Sequence, residues 1–419
     1  MKSYKAKIIQ KLKKESLIVA VDIGKNAHWG YLRAPDGTEV KPFIFYNTQR
    51  SFKDFWKRVR QFASKQGLEQ IFIGFESTGP YAEPLFHYLK DKAVNLVQVN
   101  PMHTKRIKEL TGNSPNKNDQ KDPRVIADVI CLAHALTLVI PEGPAAELRR
   151  LTGARERCVE KRTALLNQLQ HLIFVIFPEF LGIIKNISTR TGLYLIKNYP
   201  TPERILAQGL EPLAAAVNKV SRGRIGYDRI RALTKAAYHS VGVKAGRKAI
   251  LLEIEHLLCE IESENRFIDK VEKQMAQFLE QIPYSHSILS IKGIGVVTAS
   301  GLIGEVGDFR KFKTIAEITK LAGLDLYEIS SGQRKGQRRI SKRGRPMLRK
   351  LLFFAAINTI RGGGIMYEKY HQMLERGMLK MKALIAISRK LLAVIFAVVR
   401  DNTVYIENYS RAHNYKLAA

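Results

Sequence analysis

Apolar and polar positions over residues 17–140 switch between a period of two and a period near 3.6, the marks of strands and helices. Leu17 to Ile23 (LIVAVDI) is a nearly continuous apolar run broken by Asp22, as expected of a central strand buried on both faces. Trp29 to Arg33 and Pro42 to Tyr46 predict two more strands around the turn Pro35-Asp36-Gly37, making an antiparallel meander. A helix is predicted over Ser51 to Ser64, a strand over Gln70 to Phe75, a helix over Tyr81 to Lys90 and a strand over Asn95 to Val99. Helical segments follow beyond Pro101 and Pro123.

Three leading strands followed by helix-separated strands describe a ribonuclease H-like mixed α/β domain, although periodicity alone does not separate it from other α/β folds. Pro141-Glu142-Gly143-Pro144 marks the expected boundary. Beyond it, Leu148, Leu151, Cys158, Leu165, Leu169, Leu172 and Ile176 recur at near-helical spacing. From Ile250 to Ile282 apolar residues recur in alternating steps of four and three, with Glu264 the one polar position. Such a heptad seam predicts a coiled-coil or helical-hairpin arm. Residues 179–249 contain a basic, glycine-containing stretch, Ser221 to Gly226, to which the pattern assigns no function. Three parts result: an α/β domain over 1–142, a helical arm over 143–283 and a mainly helical domain over 284–419.

Composition changes this picture in one respect. With 45% hydrophobic and 9% aromatic residues, wholesale disorder is excluded, but 69 Lys and Arg against 38 Asp and Glu leave a net charge of +31. The charge is +10 over residues 1–150, +11 over 151–250, −4 over 251–300 and +14 over 301–419. Basicity spread over most of the chain suggests a nucleic acid laid across several domains and held by phosphate contacts; a basic protein of ribosomal type is the blander account. The longest apolar stretch, Leu391 to Val399, falls far short of the ~20 residues that span a bilayer, so no membrane helix is expected. The Lys-rich start lacks the apolar core of a signal peptide. Cys131, Cys158 and Cys259 lack C-x-x-C spacing, which argues against a zinc ribbon or disulfide framework and fits a reducing, cytoplasmic setting.

Candidate chemistry begins with acids at strand ends. Asp22 precedes Gly24 and Lys25, and Glu76 closes a second strand in Gly74-Phe75-Glu76-Ser77-Thr78-Gly79. Asp119 and Asp122 stand three apart beside an expected helix start. Acids ending buried strands are costly unless they bind a cation, cap a helix or bond a turn. Hard divalent cations take oxygen ligands and support phosphodiester chemistry. Any one of the four alone reads as a turn carboxylate or helix cap; together, in a chain of this charge, they point to a metal site.

VAVDIGK, GFESTGPY, VQVNP followed by Lys105, and KNDQKD resemble the N-terminal domain of the DEDD insertion-sequence transposases related to the Piv DNA invertases. The resemblance implies a RuvC-like domain with Asp22, Glu76, Asp119 and Asp122 as an acidic tetrad holding Mg²⁺, or alternatively Mn²⁺. It also implies guidance by a structured bridge RNA. One residue departs from the pattern: the position after the fourth acid is usually small but here is Pro123. Proline favours the first turn of a helix and disfavours helical geometry before it, making Asp122 a candidate N-cap and Asp128 a substitute ligand.

Toward the C-terminus, Leu289-Ser290-Ile291-Lys292-Gly293-Ile294-Gly295 with Ala299 and Leu302 matches a helix-hairpin-helix pattern. Lys292 and the turn glycines Gly293 and Gly295 are candidate phosphate contacts, an ordinary packing turn being the alternative. Ser330-Ser331-Gly332 precedes Arg334, Lys335, Arg338, Arg339, Lys342, Arg343, Arg345, Arg349 and Lys350, a run without acids that suits a phosphate-binding face. Serine beside glycine is by itself a turn. The SG dipeptide, ISKRGRPMLRKLLFFAA, IKGIG and FRKF resemble the second domain of the same transposases. By that resemblance Ser331 attacks a DNA phosphate and forms a phosphoserine link, Ser330 being the neighbour open to confusion with it.

The combined expectation is an RNA-guided DNA transposase or recombinase acting on donor and target DNA as a homodimer or homotetramer in the cytoplasm, nucleoid-associated when active. An actin-like sugar kinase would need a second Asp-Gly-Gly loop, which the sequence lacks. A metal-dependent, structure-selective nuclease of RuvC-like type would use the tetrad without Ser331. A noncatalytic RNA-binding protein would account for the charge but not for the acids.

Overall fold

The computed structural model of the protein describes residues 15–76, 79–111, 122–132, 135–328, 336 and 338–407. They form two compact units that divide between Ile140 and Pro141.

The first unit is built on strands β1 (Ser16–Ile23), β2 (Ala27–Arg33) and β3 (Glu39–Tyr46), helix α1 (Gln49–Lys65), β4 (Gln70–Glu76), a 3-10 turn at Gly79–Ala82, α2 (Glu83–Leu89), β5 (Asn95–Val99), α3 (Pro101–Thr111), α4 (Asp122–Cys131) and a short β6 (Leu136–Thr137). The sheet runs β3-β2-β1-β4-β5-β6. β2 and β3 are antiparallel additions to β1, whereas β4 and β5 run parallel to it. The predicted meander and helix-separated strands are therefore present, and β6, unforeseen in the sequence, pairs antiparallel with β5. The helix expected from Tyr81 divides into the 3-10 turn and α2, with Pro84 in the first turn of α2.

Alternation along β1 and β4 sets two cores. Leu17, Val19 and Val21 join Ile71, Ile73 and Phe75 beneath Phe52, Phe55 and Val59 of α1 and Leu85 of α2. Ile18 and Ala20 face the other way, onto Ile126, Ala127, Val129 and Ile130 of α4. Gly74 permits that second packing, because a Cβ there would lie 2.3 Å from Ile130 Cδ1. Burial of these apolar faces is the main stabilising term, at about 25 cal/mol per Å² removed from water.

The second unit is helical: α5 (Pro144–Ile176), α6 (Pro178–Ile183), α7 (Arg190–Asn198), α8 (Pro202–Gln208), α9 (Leu210–Ser221), α10 (Tyr227–Tyr238), α11 (Arg247–Glu280), α12 (Ser285–Leu289), α13 (Val296–Val306), α14 (Ile315–Leu321), the short strands β7 (Leu326–Tyr327) and β8 (Arg339–Ile340), α15 (Pro346–Arg361), α16 (Ile365–Glu375) and α17 (Lys380–Arg400). Pro144 opens α5, where its missing N–H has no helical partner to lose. Helices α5 and α11 pair antiparallel: Arg155 bonds Glu272 at 2.7 Å, while Lys161 meets Glu264 at 3.0 Å and Glu260 at 3.2 Å. Glu264, the polar position in the apolar seam, is thus neutralised by a cation from the facing helix.

Two cores lie along this pair. Leu165, Leu169 and Ile173 of α5 and Ile254, Leu257 and Ile261 of α11 pack with Leu195, Ile205, Leu213 and Leu233 from α7–α10. At the other end Leu148 of α5 and Val271, Met275 and Leu279 of α11 pack with Leu302, Leu352 and Leu391 from α13, α15 and α17. Residues on either side of 283/284 therefore share one core. Among the described residues, no helix is long and apolar enough to cross a membrane.

Candidate active site

Strand register brings Asp22 and Glu76 together. β1 and β4 are parallel neighbours with Val21 opposite Phe75, so the residues that follow stand side by side at the same strand ends. Both follow the alternation onto the α4-facing side, beyond Ala20 on β1 and Gly74 on β4. Each is half-buried. Gly24 makes the adjoining turn, since a Cβ there would lie 2.3 Å from the Ala27 carbonyl oxygen.

Helix α3, which follows β5, supports Glu76. Asn100 Oδ1 accepts from the Met102 amide at 2.9 Å and Pro101 occupies the first helical position, which accounts for the Asn-Pro dipeptide as a helix start. Buried Thr104 places its hydroxyl 3.2 Å from Glu76 Oε2 and 2.9 Å from the Pro101 carbonyl oxygen. One turn further, Lys108 Nζ meets Asp122 Oδ1 at 2.7 Å. Residues i and i+4 share a helix face, so α3 contacts both Glu76 and Asp122. Sequence reasoning overlooked Thr104 and Lys108; their spacing of four behind the Asn-Pro start was the available signal.

Asp122 is the first residue of α4 with Pro123 behind it, so the proline stands in the first turn, where it is tolerated. Asp128 is directed elsewhere. Its Oδ1 bonds Arg33 Nη1 at 2.6 Å, and Arg33 lies opposite Ile18 whereas Asp22 lies opposite Trp29. Four strand residues, about 13 Å, separate those levels. Asp128 thus belongs to an ion pair at the far end of the sheet and does not substitute as a ligand beside Asp22.

Asp119 lies outside the described residues. Among the described residues, no group of three or more His, Cys, Asp or Glu side chains is placed to hold a metal ion. What they provide is a pair of adjacent all-oxygen donors, Asp22 and Glu76, a donor set suited to a hard divalent cation.

In the second unit, Ser330, Ser331, Arg334 and Lys335 also lie outside the described residues; β7 and β8 flank them in sequence and pair through Leu326 with Ile340 and Tyr327 with Arg339. The described members of the cationic run differ in environment. Arg338, Arg339, Lys342 and Arg343 are exposed, with Arg338 Nε donating to Glu328 Oε2 at 3.0 Å. Arg345 turns inward and donates to the Glu305 carbonyl; burial, with the nearby Arg149 charge, lowers its pKa to about 10. Arg349 donates to the Ala322 carbonyl at 2.9 Å, and Lys350 pairs with Glu156. The expected solvated face therefore contracts to the residues before Gly344.

The Leu289–Gly295 motif joins α12 to α13. Gly293 has φ 92°, and a Cβ there would lie 2.6 Å from the Thr359 amide nitrogen, so this turn packs against α15. Lys292 is exposed, and Gly295, at the start of α13, has open space around its Cβ position.

Two family models match the chain in order. The DEDD domain of IS110 transposases, described as "Transposase", matches residues 19–178, and "Transposase IS116/IS110/IS902 family" matches residues 285–371. The insertion element IS110 uncharacterized 43.6 kDa protein of Streptomyces coelicolor is 24% identical over 93% of this chain and 95% of its own length. The transposase for insertion sequence element IS1111A of Coxiella burnetii is 24% identical over 69% of this chain and 68% of its own. The pilin gene-inverting protein of Moraxella lacunata is 32% identical over 32% of this chain and 44% of its own. With all but the start of β1 of its mixed sheet inside the first matched region and its helical second unit spanning the other, the chain belongs to the IS116/IS110/IS902 transposase family, as a DNA transposase with a RuvC-like DEDD domain.

Proposed function

We propose that the protein is an RNA-guided transposase that cuts and rejoins donor and target DNA through a phosphoserine at Ser331, assisted by the carboxylates of Asp22, Glu76, Asp119 and Asp122. The observation that carries this reading is the placement of Asp22 and Glu76 side by side on one face of the sheet. Those carboxylates would hold Mg²⁺ or Mn²⁺, and such an ion lowers the pKa of a bound hydroxyl and stabilises charge on a phosphate. Thr104 orients Glu76, and Lys108 neutralises Asp122.

In the proposed step the Ser331 hydroxyl oxygen forms a bond to a DNA phosphorus as its proton is removed. The phosphodiester bond to the leaving deoxyribose oxygen breaks, and that oxygen takes up a proton. Attack by a deoxyribose hydroxyl of the recipient strand reverses these changes and frees the serine. One phosphodiester is exchanged for another, so rejoining needs no nucleotide hydrolysis. Exposed Arg339, Lys342 and Arg343 supply phosphate contacts near β8. The +31 charge supports a second polyanion beside the DNA, which the reading assigns to a bridge RNA.

The test is purification with co-expressed RNA, sequencing of that RNA, and assay for a DNA adduct stable to detergent in the presence of Mg²⁺. Ser331→Ala abolishes the adduct and retains binding. Strand exchange at the wild-type rate by Ser331→Ala would instead establish metal-dependent nuclease chemistry without the serine. Absence of a structured bound RNA would remove the guide from the proposal.

A further inference from the structure

The segment left without assignment in the sequence, residues 179–249, contains 13 Lys and Arg against 4 Asp and Glu. Three of those four acids are engaged. Glu203 pairs with Arg247 at 2.7 Å, Glu179 accepts from Ser240 and from the Val241 amide, and Glu211 accepts from the Tyr227 hydroxyl. Asp228, the fourth, is exposed in the first turn of α10.

A cavity of about 590 Å³ opens between the ends of α6 and α9 and the starts of α7 and α10. Lys185, Arg190, Arg222, Arg224 and Arg229 line it, with no acid among the lining residues. All five are exposed, and none makes an ion pair among the described residues. Ile184, Val220 and Ile225 supply an apolar floor. The turn that presents two of these arginines is held in an unusual conformation: Arg222 (φ 55°) and Gly223 (φ 76°) are consecutive left-handed residues. A non-glycine residue adopts that conformation only against steric resistance from its Cβ. Ser221 bonds pin the turn, its hydroxyl accepting from the Ile225 amide at 3.3 Å and its carbonyl from the Arg224 amide at 3.3 Å. Five cations around one concavity repel one another, an arrangement relieved when an anion enters.

We infer that this cavity binds the phosphodiester backbone of a nucleic acid at an unpaired nucleotide, with the phosphates on Lys185, Arg190, Arg222, Arg224 and Arg229 and the base against the isoleucine and valine floor. Guanidinium forks suit phosphate oxygens, and an apolar surface beside them suits a base face withdrawn from its stack. The inference does not rest on Ser331 or on the carboxylates, since a protein that binds here and cleaves nothing still satisfies it.

The test uses the full-length protein and three fluorescein-labelled 20-nucleotide probes: single-stranded RNA, single-stranded DNA and duplex DNA. Binding is measured by anisotropy across a salt series. Arg222→Gln/Arg224→Gln/Arg229→Gln is compared with Arg266→Gln/Lys270→Gln/Lys273→Gln, which removes the same charge from the exposed side of α11. Each lost phosphate contact lowers the slope of log K against log salt by about 0.7–0.9. The cavity variant is expected to lose about two units of slope and bind about tenfold more weakly near physiological salt, the α11 variant much less. Arg222→Lys/Arg224→Lys/Arg229→Lys, which keeps the charge, restores the slope. Loss with single-stranded RNA or single-stranded DNA identifies the source of the phosphodiester, and loss confined to duplex DNA overturns the inference. Equal losses in the two Gln variants, or no loss with any probe, overturn the inference.

Discussion

The two ends of the sheet face beneath α4 both hold carboxylates, yet they differ in what surrounds them. At one end Asp128 meets the Arg33 guanidinium, which also donates to the Tyr31 hydroxyl at 2.9 Å, while Arg124 reaches Glu39 at 2.7 Å. Acids and arginines there match one another, forming a structural network. At the other end Asp22 and Glu76 stand as like charges in adjacent register, supported by a threonine hydroxyl. Two carboxylates in adjacent register form an oxygen donor set that suits a hard divalent cation. What distinguishes the two ends is that acids pair with arginines at one, whereas two acids stand in adjacent register at the other.

The largest expected effect tests that contrast directly. Asp22→Ala lowers DNA strand cleavage by about a thousandfold, several kcal/mol of transition-state stabilisation, with a much smaller effect on thermal stability. A fall in melting temperature matching the loss of cleavage would make Asp22 a structural residue. Asp128→Ala gives the converse. Side-chain exposures of 25% for Arg33 and 34% for Asp128 make this a partly screened pair, so the expected loss is about 1 kcal/mol by chemical denaturation, with cleavage within about twofold of wild type. Cleavage abolished by Asp128→Ala would return that residue to the site.

Lys108 gives a smaller, sharper test. Its removal leaves Asp122 without its cation, and an exposed pair is worth about 1 kcal/mol or less. Lys108→Ala is therefore expected to lower the Mg²⁺ concentration for half-maximal cleavage by up to about fivefold. An unchanged or increased requirement would place Asp122 outside the cation site.

The smallest effect lies on the opposite sheet face. His28 is fully buried, with Nε2 2.8 Å from Asn47 Oδ1, and burial lowers its pKa below 6.5 despite the Asn47 bond. A depressed histidine binds its proton less readily folded than unfolded. Its stabilising contribution is full above the unfolded value of 6.5 and is lost as pH falls below that value through the folded one. His28→Leu should flatten the decline of melting temperature between about pH 7 and about pH 5. An identical decline in both proteins would assign the acid sensitivity to other groups.

Much of the first unit was legible because its strands are short, apolar and alternating, and because Gly24, Asn100 and Pro101 have local backbone roles. Asp22 and Glu76 were legible as strand-ending acids. Thr104 and Lys108 escaped notice because their significance lies in contacts made across the fold. The cationic run after Ser331 read as one solvated face, whereas Arg345 and Arg349 satisfy the Glu305 and Ala322 carbonyls. The stretch around Arg222 carried no recognisable pattern, yet it lines a cavity whose cations make no ion pair among the described residues.

Hydrophobic periodicity, family motifs and the sum of charge are properties of the chain alone, and they determined the α/β unit, the helical remainder, the transposase family and the demand for a polyanion. Which charges answer that demand was decided by tertiary structure. A charge is available to a ligand when no partner in the fold neutralises or buries it, and that partner stands 40 residues away for Arg345, 95 for Arg33 and 14 for Lys108. Sequence distance is indifferent to this pairing, whereas electrostatic energy depends on separation in space and on the surrounding solvent.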